Sequence, residues 1–343
     1  MTCVFYPPTI PWGKLTQRPQ QLMKCFAEVG WTAVYHDIGM QRTDPPVVKV
    51  RSGLYLLSRY ARIEALRDTV SLTRPVILWI TYPPHSNLVG TMYEEDLVVF
   101  DICDMPSEEF LSWKKWVKEM FCKASVVFTA SQVLYDAFSR SHPSVHCVPN
   151  GADWQHFAPA SRSVPADFPR RAGRVAGYHG ALASWLDWRL VRRVAEAMPD
   201  WNFVFVGPLL GLDPKWLPKR PNIFYLGEKS YEELPCYTAA FDVGMVPFEV
   251  REVTVASDPI KVYEYLASGK PVVATNLPAL AGRPGVYLAR NEEDFAAMLE
   301  KAVSEDSAAR RGERLSFARE NSWENRARKI TAIVNDVLRS GVG

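Results

Sequence analysis

Ten short apolar runs, interspersed with segments of helical period, constrain this chain more than any other feature. In the first half they are TCVFY (2–6), WTAVY (31–35), PVILWIT (75–81), DLVVFD (96–101) and SVVFTA (125–130). In the second they are RVAGYH (174–179), NFVFVG (202–207), NIFYLG (222–227), DVGMVP (242–247) and PVVATN (271–276). The intervening segments predict helices near 18–29, 60–70, 107–122, 131–140, 185–198, 230–240, 259–268, 292–303 and 322–340. Continuous apolar strands are buried on both faces, which means parallel sheets covered by helices. Right-handed crossovers then give an α/β, doubly wound layer in each half. The stretch 151–173, rich in Pro, Ala and Ser and without a clean period, reads as the linker between two such domains.

Charge and cysteines narrow the chemistry. The net charge of +2 demands no nucleic acid, and only 114–123 is locally basic. Six cysteines lie far apart with no C-x-x-C pair, so no structural zinc site is expected. There is no D-x-D for a bridging metal, and metal independence is the expectation. With no basic-then-apolar leader and no apolar run of about 18 residues, a cytoplasmic protein is expected. The segment EEFLSWKKWVKEMFCK (108–123) mixes a helical apolar stripe with lysines and tryptophans. It is a candidate peripheral contact at the inner face of a membrane, against the plainer reading of a core-facing helix with a solvated basic side.

The stretch SDPIKVYEYLASGKPVVATN (257–276) concentrates the chemistry. Ser257 or Asp258 suits the cap of a helix, Pro259 its first position and Gly269 its stop. Ile260, Tyr263, Leu266 and Ala267 recur at helical spacing and are expected to face the sheet. Lys261 falls in the first turn, where the helix already carries partial positive charge, and Glu264 lies one turn on. A cation beside exposed amides suits a phosphate, and a carboxylate there suits the two hydroxyls of a ribose. A plain surface Lys–Glu pair is the alternative.

GYHGALASW places His179 and Gly180 at a strand-to-helix turn, with Gly207 closing the next strand. Glycines there let backbone approach a diphosphate. Ser184 and Asp187 form a capping-box-like pair that starts a helix at 185. In the Pro-rich loop PPTIPWGKLTQRPQQL, Gly13, Lys14 and Arg18 are candidates to line a crevice. Asp101 and Asp104, at a strand end in DICDMPSEEF, are candidates to contact an acceptor or act as a base. Asp104 or Ser107 as a helix cap is the competing reading.

SDPIKVYEYLASGKPVV resembles the C-terminal motif of GT-B glycosyltransferases of family 4, the glycosyl transferases group 1. RPQQLMKCFAEVGW (18–31), VPNGADWQHFAP (148–159), GYHGALASWLDWRLV (177–191), NFVFVGP (202–208) and YEELPCYTAAFDVGMVPF (231–248) follow in the family's order. The resemblance implies two Rossmann-like domains facing a cleft. Residues 1–158 would take the acceptor, 159–322 the nucleotide sugar, and a helix in 323–343 would cross back to the first domain. It implies a retaining transferase of polysaccharide biosynthesis that moves a sugar from a nucleotide diphosphate sugar to a hydroxyl of a glycan, lipid-linked saccharide or small molecule. No cofactor beyond the donor is implied. Lys261, Asp104 and Arg18 would be catalytic. Gly180, His179, Gly207, Ser257, Asp258, Pro259, Ile260, Lys261 and Glu264 would hold the donor, and Gly13, Lys14 and Asp101 would lie on the acceptor side. Two departures stand out: Ala256 occupies the place of the motif's first glutamate, and no cation precedes Arg189 in HGALASWLDW. A nucleotide-sugar epimerase of the same layout and a non-catalytic nucleotide-sugar-binding protein are the rival readings.

Overall fold

The computed structural model describes residues 2–341 except 14, 67, 68 and 71. The chain divides into two compact units. The first comprises Met1–Asn150, Ala256–Asp258 and Trp323–Gly343; the second comprises Gly151–Val255 and Pro259–Ser322. The first division falls after Asn150, next to the stretch 151–173 read as the linker, where the resemblance implies a boundary at 158. Three residues of the KVYEY-bearing half also count with the first unit.

In the first unit the strands are β1 (Cys3–Tyr6), β2 (Thr32–Asp37), β3 (Val47–Arg51), β4 (Leu54–Ser58), β5 (Val76–Ile80), β6 (Leu97–Ile102), β7 (Val126–Thr129) and β8 (Val145–Cys147). They form one sheet in the order β3-β4-β2-β1-β5-β6-β7-β8. Every pairing is parallel except β3 with β4. The inner strands are buried on both faces, as their unbroken Val, Ile, Leu and Phe content requires. The β3–β4 hairpin was not legible as two strands. Its outer strand VVKVR is largely exposed and carries charge, so no buried apolar run marks it.

The second unit has β9 (Arg174–His179), β10 (Trp201–Val206), β11 (Ile223–Tyr225), β12 (Val243–Val246), β13 (Val272–Thr275) and β14 (Val286–Ala289), ordered β11-β10-β9-β12-β13-β14 and parallel throughout. Its core gathers Phe203, Phe205, Met245, Tyr265 and Val273 among many others. Gly177 and Gly244 are required inside the strands, because a Cβ would enter the Phe241 and Tyr265 rings at 2.2 and 2.3 Å.

Several helices depart from expectation. Among the described residues of 60–70 the helical structure is a 3₁₀ turn, Ile63–Leu66. The 107–122 helix splits into a 3₁₀ turn, Glu108–Trp113, and an α-helix, Lys114–Lys123, whose Val117 and Met120 enter the core. That is the core-facing arrangement, with Lys114, Lys115 and Lys118 exposed. The helix expected from 185 spans Trp188–Ala197. Its cap is Asp187, whose carboxylate accepts from Leu190 N at 2.8 Å, and Ser184 plays no capping part. The helix Ala308–Glu320 was not foreseen. It is highly charged, and it is anchored by buried Arg314, which donates to Gly269 O (2.7 Å) and Asp306 (2.6 Å). Among the described residues no helix is long and apolar enough to cross a membrane.

Candidate active site

The second sheet changes its direction of growth between β9 and β12. The chain lays β9, β10 and β11 outward, then returns to place β12 on the other side of β9. Crossovers leave such a point in opposite directions and open a crevice beyond the strand C-termini. His179 and Gly180 end β9, Gly207 follows β10, and Phe248 follows β12. The helix Ile260–Ala267 precedes β13.

Lys261 is the centre of this crevice. Its Nζ lies 5.0 Å from the ring centroids of both Tyr178 and Phe248. Among the described residues it makes no ion pair or hydrogen bond. Burial lowers its pKa from 10.5 to about 8, with Glu264 pulling the other way. Ring faces hold an ammonium by about 0.5–2 kcal/mol and leave its charge unneutralised. The side chain is therefore charged at neutral pH, half-buried, and free to meet an anion.

Glu264 is 4% exposed. Desolvation raises its pKa to about 8; Lys261 and a hydrogen bond with Tyr231 lower it, and Asp153 raises it. Its Oε2 stands 3.7 Å from His179 Nε2. Burial, reinforced by Lys261, drives His179 down to about 3. At neutral pH the contact therefore joins a neutral imidazole to a largely protonated carboxyl, and it is not an ion pair. His179 Nε2 is buried without a hydrogen-bond partner. The ring is fixed by Phe157, stacked at 5.9 Å, and by Tyr265, edge-on at 4.7 Å, whose hydroxyl accepts from His179 N.

The two glycines pack against each other. A Cβ on Gly207 would lie 2.0 Å from Gly180 O, and one on Gly180 would lie 3.2 Å from Lys261 Cε; φ is +147° and +129°. Only glycine gives this close approach. Their amides are not open to a ligand, however. Gly180 N donates to Val206 O and Gly207 N to Gly227 O. The open donors belong to the helix start, whose first N–H groups have no intrahelical acceptor. Pro259 is the N-cap residue and no side chain caps the end, so the helix begins one residue later than expected. Val262, Tyr263, Glu264, Tyr265, Leu266 and Ala267 are all buried, while Ile260 is only half-buried. The expected single apolar face is replaced by a helix enclosed on all sides.

Most of the other candidate residues belong to the first unit. Asp258 is engaged within the first unit, where its carboxylate accepts from Asn150 N (2.9 Å) and its carbonyl from Asn150 Nδ2 (2.6 Å). Ser257, half-buried, also counts with the first unit, whereas Pro259 is buried in the second. Ala256 is fully buried, its carbonyl accepting from Ser131 Oγ at 2.6 Å. Arg18 and Asp101 form a two-pronged buried pair at 2.8 and 2.9 Å, with Trp79 Nε1 also donating to Asp101 at 3.2 Å. Arg18 Nη1 reaches Asn150 Oδ1 and Pro149 O. Both side chains are thus paired with each other inside the first unit. Asp104 is half-buried just beyond β6, and desolvation, with Glu109 adding, raises its pKa to about 6. Gly13 is exposed, and Lys14 lies outside the described residues. Arg189 is 77% exposed and faces Glu292. Tyr178 and Phe248, which seat Lys261, had no signal in the sequence beyond their place at strand ends.

Residues 173–305 match the family model described as glycosyl transferases group 1. Over 280 residues the chain is 27% identical to the Bacillus subtilis (strain 168) protein TuaH, whose name proposes a glycosyltransferase of teichuronic acid biosynthesis; the match covers 74% of this chain and 70% of that protein. The fold is similar to sucrose-phosphate synthase from Thermosynechococcus elongatus, with a TM-score of 0.75 at 14% identity, covering 99% of this chain and 100% of that one. It is also similar to Anabaena HepE in complex with UDP and glucose, with a TM-score of 0.72 at 15% identity, covering 97% and 99%. The family model is thus matched on the second unit, a relative aligns over most of the sequence, and along its length the chain has the GT-B fold.

Proposed function

We propose that the protein moves a hexose-type sugar from a nucleotide diphosphate sugar to an acceptor hydroxyl, with retention of configuration and without a metal. The observation that carries this reading is the unneutralised ammonium of Lys261, seated on two aromatic faces at the switch point of the second sheet. The diphosphate would lie against Lys261 and the amides of Ile260 and Lys261. Glu264 would meet the ribose. As a neutral acid it accepts from one hydroxyl and donates to the other; ionised, it accepts from both. His179 Nε2, lacking a partner, would serve as a further hydrogen-bonding group for the donor.

In the transfer step the anomeric C–O bond to phosphate breaks while the acceptor oxygen bonds to the same face of the sugar. Negative charge grows on the departing diphosphate, where Lys261 stabilises it without reorganisation. The acceptor proton passes to the departing phosphate, or to Asp104 on the first unit if that carboxylate serves the acceptor, its pKa near 6 suiting proton transfer. Ser257, Asp258 and Pro259 are proposed as further contacts to the donor.

The solved relatives HepE and the E. coli trehalose-6-phosphate protein are described with UDP or UDP-2-fluoro glucose, so UDP is the first probe. Titration of UDP into wild type and Lys261→Ala is expected to show binding weakened about 10–100-fold, the worth of a charge-assisted hydrogen bond of about 1.5–3 kcal/mol. Equal affinities would overturn the assignment. Product analysis with and without acceptor separates a transferase from an epimerase, which needs no acceptor.

A further inference from the structure

A cavity of about 340 Å³ lies within the second unit, at the end of the helix Ile260–Ala267 remote from Lys261. The loop after the short helix Trp154–Phe157 and the helix Ala308–Glu320 complete it. Three cationic side chains line it, Arg162, Lys270 and Arg311, and no carboxylate does. Arg162 Nη2 donates to His156 O at 2.7 Å and Lys270 Nζ to Ala239 O at 2.8 Å, so both meet only neutral carbonyls. Arg311 is exposed, and its guanidinium makes no hydrogen bond or ion pair among the described residues.

The nearby acids are already engaged. Asp242 pairs with Arg174 and accepts from Val175 N. Asp306 pairs with Arg314. Burial lowers the Lys270 pKa; Asp242 and Asp306 oppose this, while Arg311 and Arg314 add to it. A helix C-terminus favours one cation, which accounts for Lys270. It does not account for two arginines converging from other elements. Like charges gathered around a concavity repel unless an anion joins them. Phe157 and Pro235 supply an apolar wall, and the volume falls at the lower end of small-molecule sites.

We propose that this cavity is a second anion site, distinct from the niche at Lys261, that binds a phosphomonoester carried on a molecule of sugar size. The guanidinium of Arg311 and the Lys270 ammonium would clasp the phosphoryl oxygens, with Arg162 at the rim, and the carbon skeleton would lie against Phe157 and Pro235. The ligand would tie the helix Ala308–Glu320 to the end of the helix Ile260–Ala267.

Calorimetric titration of the full chain at low ionic strength, with inorganic phosphate and glucose 6-phosphate as probes, tests this. Wild type is expected to bind glucose 6-phosphate more tightly than phosphate. Arg311→Glu and Lys270→Gln are each expected to weaken both at least tenfold and to abolish the rise in Tm that the ligand gives wild type. Lys261→Ala is expected to leave both affinities unchanged. Binding that survives both cavity variants, binding lost only in Lys261→Ala, or no wild-type binding at millimolar probe would overturn the proposal. Vesicles containing phosphatidic acid present the same headgroup chemistry on a lipid. Capture by those vesicles that depends on Arg311, with no binding of the free probes, would overturn it equally.

Discussion

At the scale of single residues, burial sets the charge states. Glu264 is ordinarily ionised above about 4.5, yet here it keeps its proton to about 8. Between those values the unfolded chain has released the proton and the folded chain has not, so stability falls as pH rises across that window. Glu264→Gln removes the difference. Its Tm is expected to change less than that of wild type between pH 5 and 8, as thermal unfolding across pH would show; parallel curves would refute the assignment. Arg18 and Asp101 make the opposite case, two charges buried and fully paired. Asp101→Asn leaves the guanidinium buried beside a neutral amide and is expected to cost about 3–5 kcal/mol, measurable by denaturant unfolding. Neither state was readable beforehand. In the sequence Arg18 and Asp101 are 83 positions apart, and nothing in either neighbourhood announces that one neutralises the other.

At the scale of elements, the site is built by what the strands leave behind at their ends. Gly180 and Gly207 sit backbone to backbone, which brings the loops after β9 and β10 closer than any side chain permits. Gly180→Ala is expected to lower UDP affinity at least tenfold, because the new methyl strains a φ of +129° and crowds Lys261. Titration of UDP into the variant checks this, and undiminished binding would show that the glycine serves the fold alone. The strands β1, β2, β5, β6, β7 and β9 to β13 were legible because each falls in a short apolar run. β3, β8 and β14 were not, because they are short or half-exposed and so carry little contrast with their surroundings; β4 was missed although it is largely buried. The helix Ile260–Ala267 was recognised by its stop at Gly269, whose φ of +73° needs no Cβ. Its enclosure was missed because Val262 and Tyr265 fall off the one face that a period argument selects. Lys261 and Glu264 could be picked out by spacing; the rings of Tyr178 and Phe248 arrive only through the sheet's topology.

At the scale of the molecule, both ends of the chain serve one unit. The helix Trp323–Arg339 packs on the helix Arg18–Glu28, and Arg326 and Lys329 donate to Asn150 O and Cys147 O. Trp323, Ile330 and Val334 are buried to 1% or less. Ile330→Ala is expected to destabilise the first unit by about 2–5 kcal/mol while leaving UDP affinity unchanged, a pairing that unfolding and titration together would test. The group 1 match covers only residues 173–305, so this closing helix lies beyond it. The bare ammonium of Lys261 has a kinetic corollary for the proposed reaction. A cation with no resident counter-ion attracts the spent nucleotide as firmly as the loaded one. Escape of that product, rather than bond breaking, would then set the turnover rate.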